Sequence, residues 1–178
     1  LLNIKNWMLN IFDDFVDCIE QQTNRKRMSA VYSLENIEPE NFNITTWGNI
    51  ADGTTFTKRF EKGDVLFGKR RAYLKKVAVA DFDGICSSDI LVLRAKENKI
   101  LPELLQYYVS AETFIQYAVS SSAGSLSPRT KWRDLSKFQI ALPDIKIQKQ
   151  ILEVFQQLQL TRDKLKHQII SLKNLNYN

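Results

Sequence analysis

Eight cationic side chains crowd one short stretch: Lys58, Arg59, Lys62, Lys69, Arg70, Arg71, Lys75 and Lys76 stand against only Glu61 and Asp64. The stretch carries +6 while the whole chain carries +5, so everything else nets −1. Phe60, Phe67 and Tyr73 are interleaved with these charges, the pattern of a patch anchored by a fold and not of a solvated tail. A second basic group, Arg129, Lys131, Arg133 and Lys137, follows the Ser/Gly-rich run from Ser120 to Ser125. The chemistry on offer is non-covalent. Lysine and arginine neutralise phosphates, arginine pairs bidentately with a guanine edge, and hydroxyls hydrogen-bond phosphate oxygens. The candidate contacts to a polyanion are therefore Lys58, Arg59, Lys69, Arg70, Arg71, Tyr73, Lys75, Lys76, Ser125, Arg129 and Lys131. If about six of them each neutralise a phosphate, log affinity should fall against log salt with a slope near −5. A solvated hairpin whose charges serve only solubility is the alternative for the same residues.

No set of residues with the spacing of a catalytic centre accompanies the basic groups. Neither GxGxxG nor GxxxxGK[ST] occurs, and Gly63 to Arg70 has the wrong glycine spacing and no following Ser or Thr, so it reads as a tight turn with basic tips. The single histidine, His167, follows Lys164 and Lys166 on the expected long helix, far in sequence from any serine or cysteine partner, and reads as a solvated helix residue. Cys18 and Cys86 are far apart with no CxxC, which supports neither a zinc site nor a disulfide framework. Cys86 reads as a small buried side chain. Asp81, Asp83 and Asp89 ahead of Glu97-Asn98-Lys99 loosely match a Mg²⁺-dependent nuclease, although Asp83-Gly84 also makes a turn. Ser125 and Ser127 have no base to activate them. Trp47 and Trp132 could stack on bases, but core packing is the better reading for both, as it is for Tyr107 and Tyr108. Neither a metal nor a resident cofactor is expected.

The elements that must hold these residues follow from apolar spacing. At 178 residues, with 44% apolar and 25% charged residues, the chain suits one globular core and an extension. The longest uncharged stretch, near Leu104 to Gln116, is interrupted by Glu112 and is far short of a membrane span. Asp13, Asp14, Asp17 and Glu20 contradict a secretory signal, so a reducing cytoplasm is the expected location. Ile4, Trp7, Met8, Ile11, Phe12, Phe15, Val16 and Ile19 recur at steps of three and four, which predicts an N-terminal helix. Short β-rich runs follow: Val31 to Leu34, Phe42 to Trp47, Thr54 to Phe60, Val65 to Phe67, Ala72 to Ala80 and Ile90 to Leu93. Gly53, Gly63, Gly68 and Asp83-Gly84 punctuate them as turns. Pro102 opens two consecutive helices, Phe138 to Leu142 makes a strand, and Asp144 caps a helix that runs to the end. The expected class is α+β: a compact, mostly antiparallel β domain with flanking helices over residues 1–143, then a long coiled-coil helix over 144–178.

That last helix carries Ile147, Ile151, Val154, Leu158, Thr161, Leu165, Gln168, Leu172 and Leu175 at alternating steps of four and three, a seam of about four heptads. A seam of this length needs a partner. Ile151, Val154, Leu158, Leu165 and Leu172 are the candidate dimerisation residues, with Thr161 and Gln168 as polar positions that set register. Folding back on its own domain is the competing arrangement.

Three blocks in order resemble the DNA specificity subunit of type I restriction-modification systems: Thr54 to Phe60, Gly63 to Tyr73, and Lys76 to Ser87. Ser122 to Thr130, and Leu142-Pro143 followed by Gln148 and Ile151, fall where that family has a loop and the start of its long helix. The chain departs from the family in having Asp144 after Pro143 and Ile147 before Gln148, and in holding one recognition domain and one long helix where the family usually has two of each. The resemblance implies a non-catalytic, half-sized subunit that reads one half of a split double-stranded DNA target. It further implies docking to methyltransferase subunits and, through them, to the restriction subunit. S-adenosylmethionine, ATP and Mg²⁺ would belong to those partners, and two copies of the chain would rebuild the twofold subunit. A coiled-coil adaptor that ignores DNA and a small Mg²⁺-dependent nuclease are the rival expectations.

Overall fold

The structure, a computed structural model, describes residues 7–23, 30–39, 41–49, 53–124 and 126–175. Among the described residues, three sheets organise the strands. The central one has the order β2-β9-β6-β7, from Val16–Ile19, Ile90–Ala95, Val65–Gly68 and Val77–Val79, all antiparallel. A second has the order β4-β3-β8-β5, from Gly48–Asn49, Ala30–Tyr32, Gly84–Cys86 and Lys58–Phe60, antiparallel except for the β3/β8 pair. A ribbon joins β1 (Met8–Ile11) to β10 (Gln139–Leu142), with Met8 opposite Leu142 and Ile11 opposite Gln139. The helices are α1 (Pro102–Ser110), α2 (Glu112–Ser120), the short α3 (Trp132–Leu135) and α4 (Ile145–Leu175).

The central sheet is covered on both faces, which explains why Val65-Leu66-Phe67 and Ile90 to Leu93 are unbroken apolar runs and not alternating ones. Val65, Phe67, Leu91 and Leu93 face the core shared with Leu104, Leu105, Phe114 and Ile115 of α1 and α2. Leu66, Ile90 and Val92 point the other way, into a core with Tyr32, Phe60 and Cys86 of the second sheet. Helix, sheet and sheet thus stack as layers, an α+β arrangement.

The N-terminal helix does not form. Residues 7–19 instead make β1, a 3-10 turn at Phe12–Asp14 and β2, because β9 takes Val16 to Ile19 as its edge partner. The helical spacing came from Phe12 and Phe15, which pack edge-on at 5.4 Å inside the core, while Met8 and Leu9 are exposed. Ile4 lies outside the described residues. Phe42 to Trp47 forms no strand, only a bridge from Asn43 to Val79. Ala72 to Ala80 begins as a 3-10 turn, Ala72–Leu74, before β7. Gly84 is a strand residue and not a turn: a Cβ there would sit 2.5 Å from the Phe60 ring.

The start of α4 is fixed by two side chains. Asp144 accepts the Ile147 N–H at 2.9 Å, a cap of the kind its sequence position predicts. Gln148 is fully buried; its Oε1 accepts the Leu101 N–H at 2.9 Å, and its Nε2 donates to Lys99 O at 2.9 Å and Pro143 O at 2.8 Å. Phe155 stacks on Tyr107 of α1 at 4.4 Å, which extends the attachment by two turns. Gln148→Leu keeps the volume but strands a buried N–H and two carbonyls, so it should destabilise the chain by about 2–3 kcal/mol. The urea midpoint should fall with the slope unchanged; an unshifted midpoint would show that the amide is not the clamp.

Candidate nucleic-acid interface

The chain leaves β6 at Gly68, where space is tight: an added Cβ would lie 2.7 Å from Leu34 Cδ1. The next three residues are laid against the loop that follows α2. Lys69 donates its N–H to Asp89 O at 2.9 Å and accepts from the Thr130 N–H at 3.1 Å, and Arg71 donates to Pro128 O at 2.9 Å. Arg70 bridges Arg129 antiparallel, and Arg129 in turn bridges Ala123. The Ala123–Arg129 bridge closes a small loop that Gly124 turns at a φ of 107°, with Leu126 at its apex 90% exposed. Ser125, a candidate contact, lies outside the described residues. On the other side of the strip, Arg71 and Lys75 take left-handed backbone (φ 55° and 51°) at either end of the Ala72–Leu74 turn. Such a conformation is uncommon for residues with a Cβ, and it turns Tyr73 into solvent.

Asp89 sits between the two strips. Its carboxylate receives Arg129 Nε at 2.8 Å and Nη2 at 3.4 Å, and Arg70 Nη1 at 3.4 Å. Glu35, on the neighbouring 3-10 turn Leu34–Asn36, takes Arg70 Nη2 at 3.5 Å. The Arg129 hydrogen bond, with the Arg129, Arg70 and Lys69 charges behind it, holds the Asp89 carboxyl below its usual range despite partial burial. Lys69, Arg71 and Lys131 have no ion-pair partner among the described residues. The surface thus combines three unpaired cations with two arginines tethered to acids.

The remaining candidates are elsewhere, and the single ridge expected from residues 58 to 76 is divided. Lys58 is 6% exposed, with its ammonium on Glu20 at 3.0 Å and Ile90 O at 3.2 Å, which withdraws it from any surface contact. Arg59 belongs to a chain of ion pairs at the far end of β5: it binds Asp83 and Glu61, Glu61 also binds Arg94, and Arg94 holds Asp64. Lys75 pairs with Glu112 at 2.7 Å, and Lys76 Nζ donates to Leu34 O at 2.7 Å. The physical reason is common to all four: a compact domain finds acids or carbonyls for cations near its surface, and no local pattern announces them. Asp83 also accepts the Lys62 N–H at 2.9 Å, so Asp83 and Asp89 serve different ion pairs, and no cluster of three metal-ligating side chains occurs among the described residues. Trp132 tilts over Phe12 in the core, whereas Trp47 is exposed beside Phe82. Burial pushes both thiols, Cys18 and Cys86, up to about 12.

A second surface runs along α4. Ile151, one of the candidate dimerisation residues, packs half-buried against the domain's own core together with Leu152 and Phe155. Val154, Leu158, Leu165 and Leu172 are exposed, Leu158 by 59%. The side chain of Leu175 lies outside the described residues. One face of the helix is therefore half-buried from Ile151 through Phe155 and Gln159 to Asp163, while the Val154–Leu158 side and the described side chains after Asp163 are exposed.

Residues 22–174 match the type I restriction modification DNA specificity domain. The chain belongs to this family. The specificity subunit of the type I restriction enzyme EcoDI from Escherichia coli is 30% identical to it over 121 residues, 67% of this chain and 27% of that subunit. The crystal structure of the HsdS subunit from Thermoanaerobacter tengcongensis superposes with a TM-score of 0.74 at 22% identity, over 90% of this chain and 44% of that one. The S subunit of the type I restriction-modification system from M. genitalium gives a TM-score of 0.62 at 14% identity, over 94% of this chain and 42% of that one. The specificity domain thus spans less than half the length of each of these relatives, and its layers and long C-terminal helix are those of their fold. Sequence reasoning named Lys69 to Arg71 and Arg129 as candidate contacts, and the structure brings them together. It missed Asp89 and Glu35 as partners of Arg70 and Arg129, since only the tertiary approach of the two strips brings those carboxylates near.

Proposed function

We propose that this specificity domain binds double-stranded DNA through the surface formed by Lys69, Arg70, Arg71, Tyr73, Arg129 and Lys131, and reads one half of a bipartite target. The supporting observation is the bridge from Arg70 to Arg129, which merges two basic runs separated by more than fifty residues into one strip; family membership supplies the ligand class. Phosphate contacts position such a module and base contacts specify it. Residues 1–143 would form the recognition unit and residues 144–178 a helix that pairs with a second copy and docks methyltransferase subunits, which in turn recruit the restriction subunit. On this reading the chain is not catalytic. Methyl transfer from S-adenosylmethionine and ATP- and Mg²⁺-dependent cleavage would reside on the partners, and the setting would be the cytoplasm. Twofold pairing would make the target an interrupted palindrome.

Selection of bound duplexes from a random pool tests binding, symmetry and spacing together, and an unenriched pool would remove the proposal. Salt titration on the selected duplex adds a magnitude. With Lys58, Arg59, Lys75 and Lys76 engaged elsewhere and Arg70 and Arg129 tethered to acids, Lys69, Arg71 and Lys131 leave about three neutralised phosphates, for a log–log slope of about −2.7. A flat dependence would contradict phosphate binding. The bare seam of α4 favours one competing reading, an adaptor that associates through its helix and ignores DNA. Solution mass with and without the selected duplex separates the two.

A further inference from the structure

We propose that Arg129, braced by Asp89, reads a guanine edge and does not anchor a phosphate, with Asp89 as the positioning residue that sets this preference. The inference rests on the DNA-binding reading above and assigns a division of labour within it. Arg129 meets Asp89 side-on: Nε and Nη2 each reach a carboxylate oxygen, at 2.8 and 3.4 Å. A guanidinium has five N–H donors in a planar fork. Side-on use of two leaves three, both on Nη1 and one on Nη2, of which one from each terminal nitrogen forms the end-on pair whose spacing matches guanine N7 and O6. No other side chain of the described residues meets those donors, and the residue is exposed.

Three further observations point the same way. The charges of Arg70 and Arg129 are matched by those of Glu35 and Asp89, so a phosphate placed there gains little net attraction, while Lys69, Arg71 and Lys131 on the same strip make no ion pair among the described residues. Both ends of the brace are fixed in backbone: Arg129 exchanges two hydrogen bonds with Ala123, at 2.9 and 3.1 Å, and Asp89 O accepts from the Lys69 N–H at 2.9 Å. A long side chain ordered before binding loses less freedom on binding, which matters more for a base contact, where register is strict, than for a phosphate. Arg70, by contrast, reaches Asp89 and Glu35 only through its terminal nitrogens, at 3.4 and 3.5 Å, and keeps no unencumbered end-on face. The competing role for Asp89 is a staple that only ties the loop to the Lys69–Arg71 strip.

The test repeats the random-pool selection with the full chain as wild type, Arg129→Lys, Asp89→Asn and Lys131→Ala. The wild-type consensus should contain a guanine preferred by about tenfold or more, and in Arg129→Lys and Asp89→Asn that preference should collapse to about threefold or less while the other positions keep theirs. Lys131→Ala should weaken all duplexes alike and leave the consensus intact. An unchanged consensus in Arg129→Lys and Asp89→Asn would overturn the inference and leave the staple. Uniform weakening by Arg129→Lys with a shallower salt slope would overturn it in favour of a phosphate contact. A wild-type pool without enrichment would instead remove DNA binding itself. Arg129→Lys retains the cation, so it carries the test if Asp89→Asn does not fold.

Discussion

Asp64→Ala is expected to destabilise the domain by about 2–3 kcal/mol, a fall of about 4–12 °C in melting temperature for a chain of this size. The Asp64 side chain is 1% exposed, and it receives Arg94 Nε at 2.7 Å, Arg94 Nη2 at 2.9 Å and the Glu61 N–H at 2.7 Å. Its backbone carbonyl also accepts the Ala80 N–H at 2.9 Å. It therefore stands where the chain crosses from the second sheet (β5) to the central one (β6), and it fixes the turn that Gly63 makes at a φ of 95°. Breaking a fully buried ion pair costs about 3–5 kcal/mol because a charge is stranded. Here Arg94 is 37% exposed and can rehydrate, which lowers the figure, while the lost acceptor for Glu61 N–H adds to it. Asp64→Asn keeps the shape and one acceptor oxygen and should cost about half as much. Equal melting temperatures for wild type and Asp64→Ala would mean that the turn holds without its carboxylate.

Leu158→Lys is expected to abolish association through α4. The 31-residue helix is roughly 46 Å long, and Val154, Leu158, Leu165 and Leu172 present apolar surface to water along its exposed side. In a pair of such helices Leu158 contributes twice, once from each chain. Losing about 1.5–3 kcal/mol at each position amounts to about 3–6 kcal/mol, or roughly a hundredfold to ten-thousandfold in dissociation constant. The substitution is exposed in the single chain, so the stability of a dilute sample, read from its thermal midpoint, should hold within about 0.5 kcal/mol of wild type. Sedimentation across a concentration series reads the difference. A variant as associated as wild type would place the pairing surface elsewhere.

What the sequence disclosed and what it concealed divide along the range of the interactions. The cap at Asp144, the pair of helices after Pro102 and the buried runs at Val65 and Ile90 depend on neighbours a few residues away, and all were legible. The N-terminal segment was not. Its three-and-four spacing satisfies a helix template, but an edge of the central sheet needed a partner, and tertiary pairing outweighs local periodicity. The left-handed backbone at Arg71 and Lys75 was invisible for the same reason, since neither residue type advertises it. In the candidate interface, residue types could mark Lys69, Arg70, Arg71 and Arg129 as cations. They could not say that Lys58 is buried against Glu20, or that Arg59 belongs to a chain of ion pairs with Glu61 and Asp83, because an ion pair between residues tens of positions apart leaves no local pattern.

The ribbon of Met8–Ile11 with Gln139–Leu142 has a consequence for the order of events during synthesis. A chain emerging amino end first presents Met8 to Ile11 long before their partner has been translated, and contacts of such wide sequence separation form slowly. Both layered sheets draw their strands from residues 16 to 95 and can assemble while that first strand waits. Met8 and Leu9 therefore stay unpaired until the chain beyond Leu142 has left the ribosome, after the strands of both layered sheets.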